Sequence, residues 1–216
     1  GPPFAKVRGL LPYLLKLKEE GIETVGYVDT TISMAGWGVS YFCKQLSMQA
    51  VIFEIKYKSG YKDLQEYHRK TWLKFGAIIE PLENPSRMVI NVYRAKKILS
   101  NKYPMSYMVP QGLKLKETIE SVSNQVSLLP KETLGGSIVT SIGSGTMISG
   151  ILKGVGSSSL NISSSEIFGI LSFPKDRKKT YKKIMENVDI FLWNQPLHII
   201  DAGDQYTERE ETGCPF

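Results

Sequence analysis

Cysteine and histidine are scarce in this sequence of 216 residues. It contains two cysteines, Cys43 and Cys214, and two histidines, His68 and His198. The cysteines lie far apart and match no spacing of metal ligands, and the histidines form no ligand cluster with them. We therefore expect no metal site, and we interpret both histidines as structural.

Long apolar runs are also absent. No stretch reaches the roughly 20 apolar residues that a membrane-spanning helix needs, and the N-terminus lacks the basic and then apolar segments of a signal peptide. The hydrophobic fraction of 42% is that of an ordinary globular protein with a substantial core. We expect a cytoplasmic protein.

Acidic residues are outnumbered. Lysine and arginine total 27 against 21 acids, which gives a net charge of +6. This balance favours anionic partners such as phosphates or nucleic acid, although a mildly basic solvated surface explains it better. The basic run at 175–183 predicts a helix able to follow a phosphate backbone, with a solvated helix face as the alternative.

Strand-like and helical segments alternate along the chain. Runs rich in valine and isoleucine are followed by segments whose apolar residues recur at helical spacing. This order predicts an α/β fold with mostly parallel sheets, in which ligands bind at the carboxyl ends of strands. The predicted strands are 24–28, 51–55, 77–79, 106–109, 167–171, 197–200 and one that ends near 142. The predicted helices are 7–20, 39–46, 64–75, 87–99, 116–128, one after 146 and one at about 175–187.

A glycine-rich turn follows one of these strands. Gly143-Ser144-Gly145-Thr146 stands between a β-branched apolar run and a helical run. Glycines let the backbone approach a ligand closely, and the helix N-terminus offers unpaired N–H groups, so the turn predicts a phosphate site. An ordinary strand-to-helix turn is the alternative. The turn is neither a P-loop, which ends in Gly-Lys-Ser/Thr, nor a dinucleotide fingerprint.

Three segments, in this order, resemble the fold type II (tryptophan synthase β-like) family of pyridoxal-phosphate (PLP) enzymes. Pro3 to Leu10 resembles the segment in which a lysine, followed two residues later by arginine, opens a helix and holds the cofactor as a Schiff base. Ser33-Met34-Ala35-Gly36-Trp37-Gly38 stands where the family has Ser-Ser-Gly-Asn-His-Gly. Gly143 to Thr146 resembles the loop that cradles the cofactor phosphate, with Ser144 in place of one glycine. A strand ending in Pro110-Gln111-Gly112 resembles the deaminase branch.

The resemblance implies roles for the matched residues. Lys6 and Ser33 are the catalytic residues that it implies. Gly36 stands where the family has an asparagine that contacts the cofactor's ring oxygen. The implied cofactor-binding residues are Lys6, Gly36, Gly143, Ser144, Gly145 and Thr146. The implied substrate-binding residues are Thr31, Ser33, Met34, Ala35, Gly36 and Trp37.

Elementary chemistry supports Lys6 and leaves alternatives elsewhere. A lysine amine forms an imine with an aldehyde, and Arg8 or the helix N-terminus would help it to lose its proton. Lys6 also fits a solvated lysine at a helix start. Ser33 also fits a helix N-cap, and Trp37 also fits simple packing. Asp29, at a strand end, ranks below Ser33 as a group that orients a loop or acts as an acid or base.

The function implied is that of a PLP-dependent lyase, deaminase or decarboxylase acting on an amino acid or an amino-acid-derived group. The chain looks most like phage-borne relatives associated with thymidine hypermodification, which implies a hypermodified thymine in phage DNA as substrate and the host cytoplasm as location. The alternative is a non-catalytic phosphate- or nucleic-acid-binding protein that retains the fold. A small kinase or transferase is disfavoured because the turn has no P-loop lysine.

The resemblance also implies how the protein is organised. It implies a homodimer and two subdomains, a larger cofactor-phosphate-binding one at 1–24 and 106–216 and a smaller one at 25–105. Family members are usually longer than this chain. Neither Gly1-Pro2-Pro3-Phe4 nor Gly213-Cys214-Pro215-Phe216 resembles a natural terminus, so we expect further sequence on one or both sides.

Overall fold

Strands and helices alternate in the structure as the sequence predicts. The fold is that of a computed structural model, which describes residues 2, 4–30, 33–55, 62–82, 87–130, 136–157, 166–171, 176–188 and 197–201. Within these residues there are seven strands and seven helices, and every pair of neighbouring strands is parallel. The predicted α/β class with parallel sheets is confirmed.

The first half of the chain forms a four-stranded sheet. Its strands are β1 (Thr24–Asp29), β2 (Gln49–Ile55), β3 (Ile78–Leu82) and β4 (Ser106–Met108). Their order is β3-β2-β1-β4, so the chain moves outward from β1 to β3 and then returns to the free side of β1. The strand order reverses between β1 and β4, and open α/β sheets bind ligands at the carboxyl ends of the strands beside such a switch point.

Helices cover both faces of this sheet. The helices are α1 (Val7–Glu19), α2 (Ala35–Gln45), α3 (Lys62–Lys74) and α4 (Met88–Lys102). The first three pack on the face that includes Tyr27 and Ile52, and α4 packs on the face that includes Val28 and Phe53. Each large apolar side chain buried in these cores stabilises the fold by about 1.5–3 kcal/mol.

A three-stranded sheet forms in the second half. Its strands, in sheet order, are β5 (Ile138–Ile142), β6 (Ile167–Leu171) and β7 (Leu197–Asp201). The helices of this half are α5 (Lys116–Ser127), α6 (Thr146–Ser157) and α7 (Arg177–Met185). Ile148 and Leu152 of α6 and Ile184 of α7 pack against Ile142 and Ile167 of the sheet.

Helices α5 and α6 approach each other closely at two glycines. A Cβ on Gly150 would lie 2.6 Å from the Cβ of Val122, and one on Gly154 would lie 2.6 Å from the carbonyl oxygen of Ser123. No side chain larger than hydrogen fits at either position without moving one helix. The contact therefore fixes the axis of α6, and with it the position of the first helical turn at Thr146.

Two compact units divide the chain, Gly1–Glu117 and Thr118–Phe216. The predicted subdomains pair 1–24 with 106–216, whereas α1 packs against α2 inside the first unit. That pairing stays a prediction. None of the helices in the part of the chain that the structure describes has the length and apolar run of a membrane span.

One element boundary differs enough to matter. The predicted helix at 39–46 begins four residues earlier, at Ala35, so Gly36, Trp37 and Gly38 lie in the first turn of α2 rather than in a loop. The cause lies in β1. The Asp29 carboxylate accepts the N–H of Gly36, which is one of the donors that the first turn of a helix leaves unpaired.

Candidate active site

Lys6 reaches the carboxyl end of β4. The residue occupies the N-cap position of α1, and its Nζ donates a hydrogen bond of 2.6 Å to the carbonyl oxygen of Gly112, 106 residues later in the sequence. Gly112 has a φ of +72°, a conformation that favours glycine. The lysine that the sequence predicts as catalytic therefore lies beside the switch point of the first sheet.

Tyr27 holds the other side of the Gly112 peptide. Its hydroxyl accepts a hydrogen bond of 3.2 Å from the Gly112 N–H, and its side chain is fully buried. Burial, aided by the nearby charge of Asp29, raises the pKa of Tyr27 far above its usual range, so the phenol stays neutral. Lys6 and Tyr27 together hold Gly112 at its carbonyl oxygen and at its N–H, which belong to the two peptide groups on either side of its Cα.

Asp29, the last residue of β1, is a buried carboxyl group. Only 1% of its surface is exposed. Its Oδ1 accepts the N–H of Thr30 at 2.7 Å, and its Oδ2 accepts the N–H of Gly36 at 2.6 Å. Burial raises the pKa of Asp29 to about 7, against the opposing effect of hydrogen bonds from Gly36, Thr30 and Ser33.

Ser33 lies between Tyr27 and Asp29. The Ser33 hydroxyl lowers the pKa of both groups, and its Oγ accepts the Ala35 N–H at 3.1 Å. The structure thus places the two predicted catalytic residues, Lys6 and Ser33, among polar groups that follow β4 and β1. We define the switch-point network as Lys6, Gly112, Tyr27, Ser33 and Asp29.

Packing accounts for two small residues of the 33–38 segment. A Cβ on Gly36 would fall on Oδ2 of Asp29 and lie 2.9 Å from Nε1 of Trp72. A Cβ on Gly38 would lie 2.8 Å from the ring of Phe4, which precedes Lys6. The N–H groups of Ala35 and Gly36 are also engaged within the chain. The roles predicted for Gly36 and Ala35 in binding cofactor or substrate stay predictions.

The remaining predicted residues of this segment differ in exposure. Met34 is 40% exposed, whereas Trp37 is half-buried. The Nε1 atom of Trp37 and the Oε1 atom of Gln111 are both buried. Neither has a hydrogen-bond partner among the described residues. Thr31 lies outside the described residues. Their predicted contacts with substrate stay predictions.

Gly143 to Thr146 joins β5 to α6 in the second unit, as predicted. Gly145 is buried and has a φ of +87°, whereas a Cβ added to Gly143 would meet no atom within 4 Å. The hydroxyls of Ser144 and Thr146 lie 2.9 Å apart at the start of α6. An open backbone, two hydroxyls and a helix N-terminus are the donors that suit a phosphate group.

Solved structures that share the fold include three enzymes or enzyme homologues. A homologue of ACC deaminase has a TM-score of 0.66 and 16% identity, and the match covers 91% of this chain and 61% of that structure. A PLP-dependent aspartate racemase has a TM-score of 0.60, 12% identity and coverages of 91% and 64%. The diaminopropionate ammonia lyase of Escherichia coli, in its apo form, has a TM-score of 0.55, 14% identity and coverages of 79% and 51%. The chain thus spans between half and two thirds of these structures.

Similarity to a phage protein identifies the family of this chain. The glycyl-dTMP PLP-dependent decarboxylase of Pseudomonas phage M6 is 31% identical over 219 residues, which cover 100% of this chain and 77% of that protein. This chain belongs to the fold type II family of PLP-dependent enzymes. The family predicted from the three sequence segments is confirmed. No model of a protein family matches the chain.

Two residues that contribute to the site of this fold type II chain are not predicted by any clear sequence motif. Tyr27 is one aromatic residue inside a buried strand, and Gly112 stands out only as the end of the Pro-Gln-Gly turn. Their pairing depends on β4 lying next to β1. A polar-tipped side chain near the end of a buried strand is the one signal that points to Tyr27.

We expect the two glycines of the predicted phosphate turn, Gly143 to Thr146, to respond differently to alanine. Gly145→Ala should destabilise this fold type II chain by about 1–2 kcal/mol, since the left-handed conformation is costly for a residue with a Cβ. The added Cβ would also lie 3.3 Å from Ile184. Urea unfolding measures the effect, and Gly143→Ala, which has open space, is the matched control. Equal losses in the two variants would contradict the geometry.

Stability should fall as the pH rises, because Asp29 keeps its proton longer in the folded chain. The folded pKa of about 7 lies above the ordinary value of 3.8, so between these values the folded state binds more protons than the unfolded state. From pH 5 to pH 8 the wild type should lose about 3 kcal/mol of unfolding free energy relative to Asp29→Asn. Urea unfolding of both proteins at the two pH values measures this difference, and parallel pH profiles would contradict it.

Proposed function

We propose that this chain is a PLP-dependent decarboxylase that acts on a glycyl group attached to a thymidine nucleotide. The observation that carries the proposal is the alignment of the whole chain with the phage M6 decarboxylase. The position of Lys6 beside the switch point supports it, since a reactive amine is required there. Deaminases and lyases share the fold, so the reaction is assigned from the phage relative rather than from them.

The residues present fit PLP as the cofactor. In the first unit, Lys6 supplies an amine able to hold an aldehyde. In the second unit, the turn at 143–146 supplies donors suited to a phosphate group. The unpaired buried atoms Nε1 of Trp37 and Oε1 of Gln111, in the segments that follow β1 and β4, are further polar groups available to a ligand. When bound, PLP withdraws electrons from the bond that breaks at the substrate α-carbon.

Proton transfer at the α-carbon falls to Lys6 in this proposal. Decarboxylation breaks the bond between the α-carbon and the carboxylate, and the α-carbon takes one proton in its place. The Lys6 Nζ atom would donate that proton, since a lysine amine is able to act as a general acid. The Gly112 carbonyl orients the amine, and the neutral Tyr27 keeps the Gly112 peptide in place.

The surface of α7 supports a substrate that is part of DNA rather than a free nucleotide. Its cationic side chains are exposed, and none of the ion pairs in the described part of the chain includes them. They are Arg177, Lys178, Lys179, Lys182 and Lys183. Such a helix neutralises phosphates and gives binding that weakens with salt.

The test combines trapping of Lys6 with product analysis. PLP is added, the imine absorbance is recorded, borohydride is applied, and the adduct is located by peptide mass spectrometry. Glycyl-dTMP and duplex DNA that contains the same modified base are then supplied, and CO₂ and ammonia are measured. The proposal expects an adduct at Lys6 and release of CO₂, faster from DNA than from the nucleotide.

Each of the other possible results would overturn one part of the proposal or favour its alternative. Ammonia without CO₂ would overturn the decarboxylase assignment. A faster reaction of the free nucleotide would overturn the role of α7. No adduct, together with salt-sensitive DNA binding that survives Lys6→Ala, would favour the non-catalytic binding protein.

A further inference from the structure

Asp29 is a carboxylate that is buried at a high cost in free energy. It is 1% exposed, and none of the ion pairs among the described residues includes it. Removing an unpaired carboxylate from water is costly, and its pKa rises to about 7 as a result. Groups buried at such cost concentrate where their chemistry is used.

The hydrogen bonds of Asp29 show what it is used for. Its two oxygens accept one backbone N–H each, from Thr30 and from Gly36. These two residues are the ends of the segment 30–36, which contains Ser33. A carboxylate accepts at both oxygens, whereas an asparagine has one acceptor oxygen and a donating NH₂ group. Only a carboxylate therefore holds both ends of this segment at once.

The absence of a side chain at Gly36 makes room for the carboxylate of Asp29. A side chain at position 36 would fall on Oδ2 of Asp29 and against Trp72. The absence of a Cβ lets the carboxylate lie directly over the first turn of α2. The glycine, its N–H and the carboxylate thus form one fitted contact between β1 and α2.

The network continues from Asp29 to the amine of Lys6. Tyr27 lies two residues before Asp29 on β1, so both side chains lie on the same face of the sheet, and Tyr27 accepts the N–H of Gly112. The carbonyl oxygen of Gly112, in the next peptide group, accepts a hydrogen bond from Lys6 Nζ. Every residue of this path lies in the first unit.

We infer that Asp29 is a positioning residue for Lys6: it holds Thr30 and the first turn of α2 and, through the neighbouring Tyr27, the Gly112 carbonyl that orients Lys6 Nζ. The inference rests on the proposed function only in taking Lys6 as the reacting amine. The described hydrogen bonds of Asp29 go to the N–H groups of Thr30 and Gly36, and that of Lys6 Nζ goes to Gly112, so the effect of Asp29 on the amine passes through the intervening groups.

Three isosteric variants of the full chain test this inference. Asp29→Asn removes one acceptor, Tyr27→Phe removes the hydroxyl that holds Gly112, and Tyr103→Phe is the matched control. Tyr103 also loses one hydroxyl hydrogen bond, to Glu80, but it packs on the other face of the sheet. Hydrogen exchange is followed for the peptides that contain 30–36, 109–115 and β2. In the cofactor-free protein, acetylation of Lys6 is compared with acetylation of the exposed Lys16 on the same helix.

The three variants are expected to differ in the size and position of their effects. Asp29→Asn should speed exchange in 30–36 by about tenfold or more, and Tyr27→Phe should do so in 109–115, while β2 keeps its protection. Lys6 should be acetylated at least about threefold faster relative to Lys16, with the larger effect in Tyr27→Phe, since each loss weakens the hold on the amine by about one hydrogen bond. Tyr103→Phe should leave all of these unchanged.

Two results would overturn the inference. One is a folded Asp29→Asn variant in which the exchange of 30–36 and the acetylation of Lys6 match the wild type. The other is an equal loss of protection in β2, which would show a purely structural role. Because these measurements use cofactor-free protein, they are independent of product analysis, and a failure of the proposed decarboxylase activity would leave their result unaffected.

Discussion

Lys6→Arg is expected to abolish decarboxylation, with a fall in kcat of at least about a thousandfold. Arginine keeps the positive charge and is able to donate to the Gly112 carbonyl, as Lys6 does at 2.6 Å. Its guanidinium, however, forms no imine and does not lose its proton in proteins. The variant should therefore fold normally and lack both the imine absorbance and CO₂ release.

A second lysine on the same helix gives the control for this result. Lys16 is exposed on α1 and lies outside the switch-point network. Lys16→Arg should keep the absorbance and kcat of the wild type. An active Lys6→Arg enzyme, or equal losses in the two variants, would show that another amine does the chemistry.

Gly36→Ala is expected to destabilise the chain by about 3 kcal/mol, an unusually large effect for the addition of one methyl group. The new Cβ would fall on Oδ2 of Asp29, which must then move and lose its bonds to two backbone N–H groups. Those charge-assisted bonds outweigh the gain of about 1 kcal/mol that alanine brings to a helix. Urea unfolding at pH 8, where Asp29 is largely ionised, measures the change.

Two further variants isolate the cause of this loss. Gly136→Ala should change stability little, since a Cβ there meets no atom within 4 Å. In the background of Asp29→Ala, which removes the carboxylate, Gly36→Ala should cost at least about 1 kcal/mol less than in the wild type. Strict additivity of the two substitutions would mean that the alanine clashes with something other than Asp29.

The sequence predicts those parts of the site that lie within one segment. Lys6 is predicted because Pro3 to Leu10 resembles the family segment that holds the cofactor, and the turn at 143–146 because a strand, two glycines and a helix follow one another directly. Both predictions depend on residues that are adjacent in the chain. The order of strands and helices is predictable for the same reason.

Contacts between distant segments are not predictable in this way. The hydrogen bond from Lys6 to Gly112 joins residues 106 positions apart, and it forms only because β4 pairs with β1. Gly36 illustrates the same limit. Its pattern suggests a loop that binds a ligand, whereas its missing side chain makes room for Asp29, a residue of another element. Such a pairing depends on tertiary packing, which leaves no periodic trace in the sequence.

The close approach of α5 and α6 has a consequence for how this enzyme tolerates mutation. Gly150 and Gly154 lie one and two helical turns beyond the phosphate turn, and a Cβ on either would collide with α5. Any larger residue would push the whole of α6 along or away from its neighbour and carry the hydroxyl of Thr146 with it. A random-mutagenesis selection for lost activity should therefore return a second cluster of sites, buried deep in a helix and remote from any ligand, whose loss resembles damage to the binding turn itself.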